Sequence, residues 1–134
     1  MGAEIRVLGP AEIEDYHAHL VRLDRTSRLP GTDDRAIQMH CLELLSNNAI
    51  LIGAFVDGVM RAACDIVPDR TARWGEAAIT VENEFHDAGF ERDLTARVIE
   101  EASRYHLHDL RVHEQTSVRN YKVPAFELKV AANG

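Results

Sequence analysis

Between Trp74 and Tyr105 the apolar residues change from a spacing of two to a spacing of about four. Ala77, Ile79 and Val81 alternate with their neighbours, as in a strand with one face buried. Phe90, Leu94, Val98, Ala102 and Tyr105 then recur at intervals of four, four, four and three, which lines one face of a helix. A short segment containing Gly89 joins the two patterns, and Leu110 to Val112 follows the helix as another short apolar run. A strand, a helix and a returning strand in this order imply a right-handed crossover between parallel strands, with the apolar stripe of the helix on the sheet. Any fold for this chain must contain that unit.

The residues before the crossover add antiparallel structure. Ala49 to Val56 and Val59 to Val67 are apolar runs separated by Asp57 and Gly58, a strong short hairpin signal. Pro68 to Thr71 reads as a turn into the strand Trp74 to Val81, so three consecutive strands precede the crossover helix. Upstream, Glu4 to Leu8 alternates as a first strand and stops at Gly9 and Pro10. Ile13, Tyr16, Leu20 and Leu23 then share one helical face. Arg25 to Asp33 reads as a polar loop, with Thr32 or Asp33 as the cap of a second helix lined by Ile37, Cys41 and Leu44. Beyond Val112, the segment from Glu114 to Tyr121 is polar, and a strand-like run from Phe126 to Val130 follows Pro124. The expected architecture is an α+β (α/β) domain spanning residues 1–134: strand, two helices, three antiparallel strands, helix, strand and a short C-terminal strand.

Composition narrows the function. A formal net charge of −7 argues against a nucleic-acid backbone or an anionic membrane surface as the main partner. Cys41 and Cys64 lie far apart among apolar residues, without the paired spacing of a zinc or redox motif, so both are expected to be reduced core residues. No apolar run is long enough to span a bilayer and no targeting segment opens the chain, which implies a soluble cytoplasmic protein.

The segment from Val81 to Leu94 carries the chemistry. A strand that enters a helix through a glycine-containing loop leaves backbone N–H groups at the helix N-terminus, where the macrodipole favours an anion. The spacing of Val81, Phe85, Gly89 and Leu94, together with the order of elements, resembles the pyrophosphate loop and fold of the GCN5-related N-acetyltransferases over about residues 4–113. That resemblance implies acetyl-CoA as cosubstrate and direct attack of an amine on the thioester, without a metal or a covalent intermediate. It implies that the backbone of Ala78 to Val81, including Ile79 and Val81, holds the pantetheine arm. The loop formed by His86, Asp87, Ala88, Gly89, Phe90 and Glu91 would then hold the pyrophosphate. Two slots depart from the family pattern: His86 replaces Arg or Gln, and Glu91 replaces Gly or Ala.

Candidate catalytic residues follow from the same resemblance. Glu76 occupies a strand position where some family members place a general base, and Tyr121 loosely matches the thiolate-protonating tyrosine. Each also has a plain reading, Glu76 as a solvent-facing glutamate and Tyr121 as a packing residue. The distance from Val112 to Tyr121 is short for the family pattern, and Pro124 opposes a helix there. Asp65 reads as a solvent-facing residue of its hairpin, and Arg22, Arg25 and Arg28 read as a solvated face. His106, His108 and His113 cluster in sequence, but their spacing does not impose a shared metal sphere.

Two functions remain open on this reading. One is an acetyl-CoA-dependent N-acyltransferase acting on a primary amine of a small molecule or peptide. The other is a non-catalytic binding or regulatory module of the same fold, possible as a homodimer, with weak or lost CoA binding.

Overall fold

Asp57 and Gly58 adopt φ values of 50° and 80°, the left-handed pair required by a two-residue hairpin turn. Across it, β2 (Ile50–Val56) pairs antiparallel with β3 (Val59–Asp69), with a bulge between Ala54 and Phe55. The computed structural model describes residues 3–23, 34–114 and 117–126. Within them, β1 (Ala3–Val7) pairs with β2, and β4 (Trp74–Val81) pairs with β3, both antiparallel. β5 (Asp109–His113) then pairs parallel with β4, and β6 (Val118–Lys122) pairs antiparallel with β5. The six-stranded sheet therefore keeps the order β1-β2-β3-β4-β5-β6.

Helices cover both faces. On one face α3 (Phe90–Arg104) buries Phe90, Leu94, Val98 and Ala102, the predicted stripe, against Ile52, Ile66, Ile79 and Leu110. On the other, α1 (Ile13–Arg22) and α2 (Asp34–Ser46) bury Tyr16, Leu20, Ile37, Cys41 and Leu44 against Leu51, Phe55 and Met60. Residues of β2 alternate between these two cores, so the whole strand is buried and reads as a nearly unbroken apolar run. Cys41 and Cys64 are free and buried, and burial pushes both thiols up from their ordinary pKa.

Three expectations need revision or fall elsewhere. Among the described residues the last strand lies at Val118–Lys122, inside the segment read as polar, because β6 is outermost in the described sheet and its mostly exposed residues need no apolar alternation. Phe126 is not in a strand, and residues 127–130 lie outside the described residues. Asp65 is not a solvent-facing residue: it is buried under α1 and accepts a 2.7 Å hydrogen bond from the Tyr16 hydroxyl. The expected cap at Thr32 or Asp33, and Arg25 and Arg28, lie outside the described residues.

Candidate active site

The parallel pairing of β4 with β5 stops at the rung joining Ala78 to His113, whereas the pairing of β4 with β3 continues to Val81. Ile79, Thr80 and Val81 therefore have a strand partner on one side only. Their side chains are fixed by the pleat, with Ile79 and Val81 buried in the α3 core and Thr80 on the α1 face. β5 itself ends there: β6 pairs back from Val118 and Glu114 N–H donates to the Ser117 carbonyl at 2.8 Å, so among the described residues the β4 edge beyond Ala78 has no strand partner on that side and borders an open wedge.

The wedge leads to the loop. Residues Asn83–Ala88 form a 3-10 turn, and Gly89 then takes φ 82° as the N-cap of α3. Only glycine enters this conformation without strain. A side chain at Gly89 would also meet the Arg92 guanidinium, 3.4 Å from the position of its Cβ. The first intrahelical bond runs from Asp93 N–H to Gly89 carbonyl oxygen at 3.1 Å, so the N–H groups of the first turn precede the helical ladder. His86 Nδ1 meets Glu91 Oε1 at 3.3 Å, and His86 Nε2 meets Asn83 Oδ1 at 3.2 Å. The imidazole is thus engaged by the loop's own side chains, and the Glu91 carboxylate is drawn to that flank. A groove of about 460 Å³ beside this turn is lined by Arg92, Thr95, Ile99, Arg119 and Tyr121 among others. An open backbone frame, a glycine cap and two arginines fit a diphosphate with an organic tail. Glu91 and Glu114, which line the same groove, oppose it by charge, as do Glu84, Asp87 and Asp93.

A buried polar network joins α1 to the start of the loop. His19 is fully buried; its Nδ1–H donates to Glu82 Oε2 at 2.9 Å, and its Nε2 meets Thr80 Oγ1 at 2.8 Å. Arg22 Nε and Arg61 Nη1 donate to the same carboxylate at 3.3 and 3.0 Å. Burial alone would raise the Glu82 pKa, but the hydrogen bonds from His19 and Arg61 and the charges around it win, holding the carboxyl below its ordinary value. Arg61 also lies over the Phe85 ring, 5.2 Å from its centre, so the network reaches into the loop itself. A second buried pair, Tyr16 with Asp65, sits beside it. Burial and the adjacent carboxylate push the Tyr16 phenol well up, and the contact with Asp65 raises the His40 pKa.

The predicted residues separate into two groups. Ile79, Val81, His86, Asp87, Ala88, Gly89, Phe90 and Glu91 form one continuous border of the wedge and loop, although Phe90 is a core side chain. Glu76 and Tyr121 do not converge. Glu76 pairs in register with Arg111 and Tyr121 with Leu110, so the pleat puts them on opposite faces of the sheet. Glu76 is half-exposed, with Oε1 at 3.4 Å from His113 Nε2 and 3.8 Å from Arg111 Nη1. Tyr121 lines the groove on the α3 side, because the segment read as polar is the strand β6. Sequence reasoning missed His19, Glu82 and the pairing of His113 with Glu76. His19 carried a signal, since it falls between Tyr16 and Leu20 on the apolar face of α1.

No protein-family model matches the sequence, and comparison with curated proteins gives no match. Solved structures do match. An acetyltransferase of the GNAT family from Streptococcus pneumoniae superposes with a TM-score of 0.62 at 20% identity, covering 83% of this chain and 74% of its own. A ribosomal-protein-alanine N-acetyltransferase from Brucella melitensis biovar Abortus gives 0.64 at 18% identity, over 84% of this chain and 81% of its own. The PaiA N-acetyltransferase from Thermoplasma acidophilum, solved in complex with coenzyme A, gives 0.63 at 14% identity, over 84% and 79%. The element order, the parallel β4–β5 pair and these superpositions agree: the chain has the fold of the GNAT family, the GCN5-related N-acetyltransferases.

Proposed function

We propose that this protein is an acetyl-CoA-dependent N-acyltransferase that transfers an acetyl group to a primary amine of a small molecule or peptide by direct attack on the thioester. One observation carries the reading: β4 runs on through Ile79, Thr80 and Val81 after its pairing with β5 ends, and leads directly to the Gly89 turn. That leaves a backbone edge for the pantetheine amides and first-turn N–H groups of α3 for the pyrophosphate. Arg92 supplies the positive charge nearest Gly89, in a loop otherwise rich in carboxylates. Acetyl-CoA supplies the activated acyl group, and two of the structural neighbours were solved with coenzyme A or acetyl-CoA.

The chain's own residues orient the reactants and move a proton. Holding amine and thioester together on a fixed strand edge removes most of the entropic barrier to a bimolecular step. Glu76 is the proposed carboxylate on the acceptor side of the sheet. The network of His19, Glu82, Arg22 and Arg61 keeps α1 and the loop in a fixed relation, so that the acceptor wall and the cosubstrate loop move as one body. Tyr121 is not assigned the thiolate-protonating role, since it faces the α3 side at the level of Leu110 rather than at the end rung.

The experiment is thiol release from acetyl-CoA with a panel of primary amines. Cys41 and Cys64 are buried, so background from the protein's own thiols is small. Amine-dependent release supports the proposal. The acidic loop favours a second reading, a binding module of the same fold, and absence of release with every amine would select it.

A further inference from the structure

We infer that His113 is the group that takes the proton from the acceptor amine, with Glu76 as the residue that fixes its tautomer; this rests on the acyltransferase reading above. His113 ends β5 and pairs with Ala78 on the last rung of the β4–β5 ladder, so its imidazole stands beside the unpaired edge of β4. The small Ala78 side chain leaves the acceptor face of that rung low, with Glu76 and Thr80 as its neighbours along β4. The imidazole is 43% exposed, which lets a substrate reach it.

Its chemistry follows from its contact with Glu76. His113 Nε2 lies 3.4 Å from Glu76 Oε1. A carboxylate can only accept, so Nε2 carries a hydrogen, and of the two neutral tautomers the contact selects the one with the lone pair on Nδ1. Nδ1 has no hydrogen-bond partner among the described residues. In that tautomer Nδ1 is the nitrogen placed to accept a proton, with its orienting carboxylate in place. Among the described residues, the charged and titratable groups near it include Glu76 on β4, Arg111 two residues back on β5, Glu114 next in sequence, and Asp65 across Ala78 on β3 with His40 against it. β6 places Val118 opposite His113 and Asn120 opposite Arg111, and neither titrates.

The step balances without another reagent. Nδ1 takes one proton from the ammonium form of the acceptor, and the freed lone pair forms the C–N bond to the acetyl carbon as the C–S bond breaks, its electrons going to sulfur. The nitrogen's second proton passes to that sulfur, giving the amide and the free thiol. The imidazolium then returns the first proton to solvent.

Two measurements test the assignment. In the protein without ligand, nitrogen NMR of His113 should report the Nε2–H tautomer, and Glu76→Gln should disturb that preference. A mixed tautomer in wild type, unchanged in Glu76→Gln, overturns the pairing. With acetyl-CoA and spermidine, His113→Gln should lower kcat on the order of 100-fold, with acetyl-CoA affinity by calorimetry and the unfolding midpoint unchanged. Glu76→Gln should give a smaller loss, and His108→Gln, an exposed histidine away from the wedge, none. Wild-type rates in His113→Gln overturn this inference alone, because turnover would stand. Failure of the wild-type protein to bind acetyl-CoA overturns the acyltransferase reading and this inference with it.

Discussion

At the scale of single residues, the Glu82 carboxylate gathers His19, Arg22 and Arg61 at the point where β4 becomes the loop. Removing the charge of Glu82 leaves the buried His19 without its acceptor, while Arg22 and Arg61, about a third exposed, stay solvated, so the cost is about 1–3 kcal/mol. Glu82→Gln should therefore lower the urea midpoint at neutral pH. The pH dependence has a definite sign. Folding depresses the Glu82 pKa below its ordinary value of 4.5, so the stabilisation is complete above that value and is lost as pH falls through the folded-state pKa. Wild type and Glu82→Gln should accordingly converge in stability as denaturation is followed into acid, and a constant gap down to the lowest pH would contradict the linkage. His19 was legible as part of a helical face, but its partners Thr80 and Glu82 are more than sixty positions away. No periodicity announces such a contact.

At the scale of elements, α3 and β4 were legible because each buries one face, and burial imposes a period. Leu94 illustrates the strength of that constraint: it is fully buried between α3 and the sheet. Leu94→Ala should cost about 2–5 kcal/mol, measurable as a lower thermal midpoint, whereas a shift within error would mean that the helix is held some other way. The same logic explains what stayed hidden. β6 presents exposed Val118, Arg119 and Asn120 and only a half-buried Tyr121, so its pattern resembles a loop. Its pairing with β5 is decided by the backbone and by contacts such as Lys122 to Asp109, none of which a hydrophobic pattern records. The 3-10 turn at Asn83–Ala88 escaped for a similar reason: it buries none of its residues.

At the scale of the whole molecule, the sheet divides the chemistry by face. The α3 side holds the Gly89 turn and the groove with Arg92 and Arg119, and the α1 side holds Glu76, His113 and the buried network. The wedge lies where β4 runs on beyond its last rung with β5. The fold was legible because its element order is itself a sequence pattern. The pairing of Glu76 with His113 was not, because it depends on the register of two parallel strands joined through a helix. The central claim is that this wedge and turn receive acetyl-CoA, and calorimetric titration of acetyl-CoA tests it most directly. Saturable binding is expected, weakened at least about 10-fold, or about 1.4 kcal/mol, by Gly89→Val, which forces a branched side chain into the φ 82° turn beside Arg92. No detectable heat at millimolar ligand, or equal affinity in Gly89→Val, would contradict it.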